Sequence, residues 1–590
     1  MRIDIILVTY NSKKYIKNCL ESIFKSDYDL NKVGILVYDN NSNDETISIL
    51  KELKEEYAKK LATFQIIEGE KNLGFGVANN LAAKNSLADY LFFLNVDCEI
   101  YPDTLTKLEE EIKKRKTFGI LELKQTPYEH PKYYDPITLE TKWSSGACFI
   151  IKKSLFFKVG GFDKNIFMYC EDVDLSYKIR RLGEKIYYLN NISIIHYSYK
   201  EKEEFKRNQY VNTIANNLYL RFKYGTFLDI MKGFYTNIVF YRNIEHDKNI
   251  PSNEKESIKK DVLKNRHRMI FKGIIEWFKR IRFIFSKKQD KLDFFGLEYC
   301  GVKEGAFYEI KETKEEPLVS ILVRTCNRPS YLRENLISIR NQTYKNIEVV
   351  VVEDGKPTAK EMIEKEFKDL NIIYYATGEN VGRCAVGNKA LELATGKYLN
   401  FLDDDDVFYP DHVETLVGEL ENSKEKVAYT TAFETPIEIY SKDPYKYKVL
   451  KQEVVYSTKF SLLKILYSNI TPIQAVMFEK EVYEECGGFD LRLDALEDWE
   501  LWIRFALKYP FKYVKRTTSI YRVPAKKDDS LKRQEFLTKY LELVREEYKN
   551  TVVSVKGKEI PEFCQYCIQV NSNPRNEKFK RILRFLKILK

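Results

Sequence analysis

Lys397-Tyr398-Leu399-Asn400-Phe401-Leu402-Asp403-Asp404-Asp405-Asp406-Val407-Phe408-Tyr409-Pro410-Asp411 is the stretch on which the fold is read. An apolar run of strand character, Tyr398 to Leu402, ends in consecutive carboxylates, and Pro410 can open a helix just beyond. Adjacent acids repel one another unless positive charge sits among them. A hard divalent cation, which takes oxygen ligands and shares them with phosphate, would supply it. A solvated acidic loop is the bland alternative. Because these acids close a buried-looking strand, where open α/β sheets place their ligands, the cation is favoured.

The same design stands upstream in Tyr90-Leu91-Phe92-Phe93-Leu94-Asn95-Val96-Asp97, followed by Tyr101-Pro102-Asp103. Other landmarks recur in the same order. Ile3 to Val8 leads into Thr9-Tyr10-Asn11, and Val319 to Val323 into Thr325-Cys326-Asn327. Val33 to Tyr38 ends in Asp39, and Ile347 to Val352 in Glu353-Asp354. Strands near Phe64 to Ile67 and Asn371 to Tyr375 precede Asn72-Leu73-Gly74 and Asn380-Val381-Gly382. Downstream, Gly160-Gly161-Phe162-Asp163 and Glu171-Asp172 are answered by Gly487-Gly488-Phe489-Asp490 and Glu497-Asp498. Strand alternating with helix predicts a parallel sheet covered on both faces. The repeated order predicts a tandem duplication.

In that order the landmarks resemble inverting family-2 glycosyltransferases of the GT-A fold, over most of residues 1–230 and 315–535. The resemblance implies an α/β chain of two GT-A domains, Rossmann-like and with a mostly parallel sheet, at 1–230 and 316–535. A basic, amphipathic helical linker at 231–315 joins them, and a basic helical tail occupies 536–590. It also implies nucleotide contacts from Thr9, Asn11, Asp39, Asn72 and Gly74 in the first half, and from Thr325, Asn327, Asp354, Asn380 and Gly382 in the second. Mn²⁺ or Mg²⁺ would sit on Asp97 with His196, and on Asp403 with Asp405. Asp172 and Asp498 match the general base that takes the acceptor's proton. Each role has a structural competitor: a turn or helix cap for Asp39 and Asp354, helix N-terminal placement for Asp172 and Asp498, a core role for His196. Asn95 replaces the first acid in the first half, which weakens the metal expectation there. It resembles the rhamnosyltransferase-type branch that uses dTDP-rhamnose or related donors. The second half resembles members using UDP-sugars. Trp499 and Trp502 could stack on a sugar or pack in the core, and specificity is expected in loops 121–145 and 430–470.

Composition bounds the rest. A chain of 590 residues exceeds a single core, and 44% hydrophobic with 31% charged residues describes a globular protein. No run approaches a membrane span, no signal peptide is read, and ten Cys lack a framework, so a cytoplasmic protein with reduced thiols is expected. Cys564-Gln565-Tyr566-Cys567 reads as two unrelated thiols. Two basic amphipathic stretches predict contact with a membrane surface. One carries Ile270, Phe271, Ile274, Trp277, Phe278, Ile281 and Ile284; the other carries Phe579, Ile582, Leu583, Leu586 and Leu589. Packing on the protein is the competing explanation, and the net charge of +10 comes with no nucleic-acid module. The reading is a bifunctional glycosyltransferase peripheral to the inner face of the cell membrane. It would move sugars from nucleotide-sugar donors to a lipid-linked or oligosaccharide acceptor in bacterial surface polysaccharide synthesis. Alternatives are a two-sugar polymerase, or one active domain beside a non-catalytic glycan-binding one.

Overall fold

The computed structural model describes all residues except 116, 130–131, 198–206, 248–249, 285–302, 306, 443, 526 and 573–590. The chain forms two compact units, Met1–Glu309 and Ile310–Lys590.

In the first unit the main sheet runs in the order Thr63–Glu68, Val33–Asp39, Ile3–Thr9, Tyr90–Leu94, Cys148–Lys152, Ile120–Thr126, Ile186–His196, Cys98–Ile100. The first four strands are parallel, as strand–helix alternation requires. Cys148–Lys152 then enters antiparallel to Tyr90–Leu94, and the remaining pairs are mixed. The parallel character is therefore confined to the half carrying the strand-end landmarks. The second unit repeats the order with Asn371–Ala376, Ile347–Glu353, Val319–Thr325, Tyr398–Phe401, Val476–Glu479, Val427–Lys442, Phe511–Pro524 and Val407–Phe408. Its central strands are buried except at Ile347, which is why Ile321–Val323 and Val349–Val352 read as short unbroken runs of Val, Ile and Leu. Within the stretch 430–470, read as a loop, lie most of Val427–Lys442, the strands Tyr445–Val449 and Glu453–Tyr456, and the helix Leu462–Tyr467.

Two repeated devices fix the helix that follows the third strand. Phe75–Lys84 and Arg383–Leu393 each open on a glycine, Gly74 at φ 82° and Gly382 at φ 89°, a backbone region that side chains with a Cβ avoid. One helical turn or more along, Asn80 grips the backbone N–H and C=O of Phe162 at 2.9 Å each, and Asn388 grips those of Phe489 at 2.7 and 3.0 Å. The Gly-Gly-Phe-Asp landmark thus docks a loop onto a helix, and its recurrence has a packing cause.

Helices Arg207–Tyr224, Phe227–Asn243 and Lys255–Ile284 count with the first unit instead of forming a separate linker. They share buried clusters, one of them joining Tyr219 and Met269 to Ile166 and Val173 of the α/β body. Helix Lys527–Tyr548 likewise sends Tyr540 and Val544 into the core of the second unit. The terminal stripe from Phe579 to Leu589 lies outside the described residues, as do the side chains of Ile281 and Ile284. Among the described residues no helix is long and apolar enough to cross a membrane. Cys564 and Cys567 are free thiols on the helix Glu559–Ser572, and Trp499 and Trp502 are core residues, 1% and 0% exposed.

Candidate active sites

Both sites form at the carboxyl ends of the parallel strands. In the first, Asp39 is buried and accepts from the Thr9 hydroxyl at 2.7 Å, from the Ser42 N–H at 2.8 Å and from the Ser42 hydroxyl at 2.6 Å. Asn11, at φ 50°, accepts from the Asn43 N–H at 2.8 Å, so the two loops are stitched together. Asn40 carries the third loop: its Oδ1 accepts from the Leu73 N–H at 2.7 Å, and its Nδ2 donates to Asn72 at 3.0 Å. Thr9, Asn11, Asp39, Asn72 and Gly74 are therefore brought to one rim.

Strand register corrects one pairing. Thr9 lies opposite Asp39 in the first unit, and Thr325 opposite Glu353 in the second. The counterpart of Asp39 is thus Glu353, and Asp354 corresponds to Asn40. Their bonding agrees: the N–H of Asn40 and that of Asp354 each donate at 2.8 Å to the preceding threonine's carbonyl. Asp354 then holds the Asn380–Gly382 loop, accepting from Val381 N–H at 2.7 Å and Gly382 N–H at 3.2 Å. The error arose because a strand-end acid is conspicuous in sequence, whereas a one-residue offset between paired strands is not. Thr325, Asp354, Asn380 and Gly382 line a cleft of about 260 Å³ with Arg324, Arg328, Arg383 and Asp403.

Asp97 and His196 meet. The Nδ1 of His196 shares a 2.7 Å hydrogen bond with Gln125 Oε1, and Nε2 faces Asp97 Oδ2 at 3.4 Å. With Nδ1 donating to Gln125, the Nε2 lone pair and the Asp97 carboxylate form a donor pair that a cation can bridge. Asp97, Cys98 and His196 have ligand atoms within 4.8 Å of one another, the group suited to a metal among the described residues. Burial raises the Cys98 thiol well above its ordinary range, which leaves an oxygen–nitrogen donor pair matching Mn²⁺ or Mg²⁺. The half expected to hold metal less securely thus has the better-formed group. We expect Asp97→Ala and His196→Ala each to weaken Mn²⁺ binding by at least about tenfold, read by the spin-resonance signal of free Mn²⁺. Equal Mn²⁺ uptake by both variants and the parent would exclude these ligands.

The second strand end is neutralised by arginines. Asp403 accepts two bonds from Arg324 at 2.7 Å, and Arg324 also reaches Glu497 at 3.0 Å. Asp404, fully buried, accepts from Thr325 at 2.6 Å and pairs with Arg328, which also pairs with Asp405 at 3.3 Å. Asp406 accepts from the Arg522 N–H at 2.8 Å. Burial by itself would raise the Asp403 carboxyl, but the adjoining Arg324 charge takes it below its usual value. Asp404 is pushed up to about 8, chiefly by burial. Asp403 and Asp405, read as a ligand pair, are therefore turned to different guanidiniums. The register that sets His196 against Cys98 puts Tyr521 at the corresponding place.

The two acids beyond Gly-Gly-Phe-Asp open helices Glu171–Arg181 and Glu497–Lys508, each preceded by a left-handed residue, Cys170 at φ 72° and Leu496 at φ 60°. Asp172 accepts from Gly146 N–H at 2.9 Å and Val173 N–H at 2.8 Å, and Asp498 from Asn469 Nδ2 at 2.9 Å and Trp499 N–H at 2.8 Å. Burial raises both carboxyls: Asp172 in direction, Asp498 to about 7. Glu171, which has no ion pair among the described residues, is pushed up to about 8 by burial and by Asp172. Glu497, in contrast, has Arg324 and Arg383 beside it. Sequence reading missed Arg324, Arg328, Gln125, Asn469 and Gly146, since their partners lie far away in sequence and nothing local marks them.

The family model for glycosyl transferase family 2 matches residues 4–176 and 320–485, more than half the chain and once in each unit. The chain belongs to glycosyl transferase family 2. The two mixed sheets with their flanking helices are the GT-A arrangement. An uncharacterized glycosyltransferase of Methanocaldococcus jannaschii, MJ1057, is 30% identical over 221 residues, 36% of this chain and 72% of that protein. Another from Rickettsia prowazekii, RP339, is 31% identical over 202 residues, so the match spans 61% of it and 33% of this chain. Glycosyltransferase GlyA of Streptococcus pneumoniae is 44% identical over 99 residues, 17% of this chain and 14% of its own length. Among solved structures, S. aureus TarS 1–349 is similar at 18% identity and a TM-score of 0.29, covering 49% of this chain and 76% of that one. The mannosyltransferase PcManGT from Pyrobaculum calidifontis gives 16% and 0.31, with coverage of 48% and 75%. Scores this low bear no weight for either site.

Proposed function

We propose that both units are active transferases. Each would move a sugar from a nucleotide donor to an acceptor hydroxyl by a single in-line displacement that inverts the anomeric centre. The acceptor is a growing, lipid-linked or oligosaccharide chain of a bacterial surface polysaccharide, met at the inner face of the membrane. The observation that carries this reading is the repeated base: a half-buried carboxylate at a helix start, fixed by two hydrogen bonds in each unit. Desolvation raises both carboxyls, Asp498 to about 7, and so makes each a stronger base toward a hydroxyl proton. Thr9, Asn11, Asp39, Asn72 and Gly74 would form the rim that receives the first nucleotide. Thr325, Asn327, Asp354, Asn380 and Gly382 would do so for the second. Asp97 and His196 would hold Mn²⁺ or Mg²⁺, which when bound offsets the charge of the leaving diphosphate. In the second site the guanidiniums of Arg328 and Arg383, which line the cleft, would share that task, and Asp405 would be the acid left to hold a cation. The unlike strand ends favour unlike donors, a dTDP-rhamnose type for the first and a UDP-sugar for the second.

The test is a panel of dTDP-, UDP- and GDP-sugars with Mn²⁺, with the product's anomeric configuration read by NMR. Two accepted donors, each transferred with inversion, are expected. Retention at the anomeric carbon, or no transfer from any donor, would refute the proposal. Because Asp498 sits near 7, kcat/KM for the second unit's donor should rise about tenfold per pH unit below 7 and flatten above it, as the base loses its proton. A profile flat from pH 5 to 8 would remove Asp498 from that role.

A further inference from the structure

Helices Phe227–Asn243 and Lys255–Ile284 both lie against Arg207–Tyr224, and each meets it through a glycine. A Cβ on Gly233 would strike Arg221 and come within 2.9 Å of Leu218, and one on Gly273 would stand 2.7 Å from the Phe222 ring. At about 100° per residue, positions two before and two after each glycine point roughly away from that contact. Those positions are Met231 and Tyr235, 50% and 71% exposed, and Phe271 and Ile275, 68% and 42% exposed. Ile230 and Phe234 share a buried cluster with Ile270 and Trp277 around Leu218 and Phe222, so both helices turn apolar side chains inward onto Arg207–Tyr224 and leave their opposite faces exposed. Phe227 and Phe278, 69% and 60% exposed, extend the same surface. Of the stripe read from sequence, Ile270 and Trp277 are turned inward, and the first helix's contribution had no mark in the linear pattern.

An exposed apolar face of this extent on a globular protein marks a binding surface. Its charge says for what. From Lys264 to Lys279 the chain carries five Lys or Arg against one Glu, and Lys232 and Arg242 stand exposed on the neighbouring helix. A second copy of the chain would set like charges against each other, whereas an anionic bilayer complements them and accepts aromatic and aliphatic side chains at headgroup depth. We propose that this two-helix face docks the protein on an anionic membrane surface. The proposal builds on the reading of a lipid-linked acceptor: docking would hold the first unit where that acceptor is presented.

The test uses the full chain and sedimentation with phosphatidylcholine vesicles, with and without phosphatidylglycerol. The parent protein should bind the anionic vesicles and lose binding as salt rises. The exposed-site variant Met231→Ser/Tyr235→Ser/Phe271→Ser/Phe278→Ser should keep the parent's melting temperature and its donor turnover on a soluble acceptor, while its partition coefficient falls at least about tenfold. Equal vesicle binding by variant and parent, or no binding by the parent, would overturn the docking surface. So would a parent dimer that the variant dissolves, which would make a second copy the occupant. Loss of donor turnover in the parent would instead strike the glycosyltransfer reading, and vesicle binding would still decide the surface.

Discussion

Asp172→Asn is expected to lower turnover of one donor by on the order of 10²–10⁴-fold while leaving the other donor untouched, and Asp498→Asn to do the reverse. The size follows from what the substitution removes. An asparagine keeps the shape and can still accept from Gly146 N–H or, in the second unit, from Trp499 N–H. It cannot take a proton, so only the transition state suffers, and KM for the donor should move little. The melting temperature should hold or rise slightly, since a half-buried carboxylate whose pKa is raised resists its own charge. If one variant silences both donors, the chain has a single composite activity; if Asp172→Asn changes nothing, the first unit is a binding module.

Arg324→Met should be the most damaging single change outside the bases. The side chain is 6% exposed and faces two carboxylates, Asp403 and Glu497, that have been desolvated with it. Removing one partner of a fully buried ion pair costs about 3–5 kcal/mol; Asp403 is 26% exposed and Glu497 keeps Arg383, so a loss toward the lower end is expected. Denaturant melts should report that loss. The effect on chemistry has a sign: Arg324 also favours the ionised form of Asp498, against burial and Glu497. Without it the base becomes harder to ionise, so the acid limb of the second donor's pH profile should move above 7. Adding Asp403→Asn should return part of the stability and none of the pH shift, because Asn removes the stranded acid without restoring the cation. A variant as stable as the parent, with an unmoved profile, would mean that water replaces the guanidinium.

Much of this was legible in the chain. The strand from Tyr90 to Leu94 coincides with its reading to the residue, because a central strand buried from Leu91 to Leu94 writes itself as unbroken apolar sequence. Helices Glu171–Arg181 and Glu497–Lys508 begin where their acids implied. What stayed hidden depends on through-space partners. The acids of 403–406 read as awaiting an external cation, whereas Arg324 and Arg328, distant in sequence, supply resident charge. The offset between Asp39 and Asp354 needs the inter-strand register, and the outward face of Met231 and Tyr235 needs the knowledge of which side Gly233 presents to its neighbour.

Arg324 occupies the register position held by Val8 in the first unit, and Asp403 that held by Asn95. Neither exchange makes sense alone. An arginine placed at Val8 would find Glu171 but no acid at Asn95, and an aspartate at Asn95 would be a desolvated charge with no guanidinium to meet it. From a common parent, the halves could part here only through a poorly matched intermediate or through both changes together. The pair is an epistatic block, and chimeras that exchange material between the two halves should retain activity only when their crossover points keep those two strand ends of one origin.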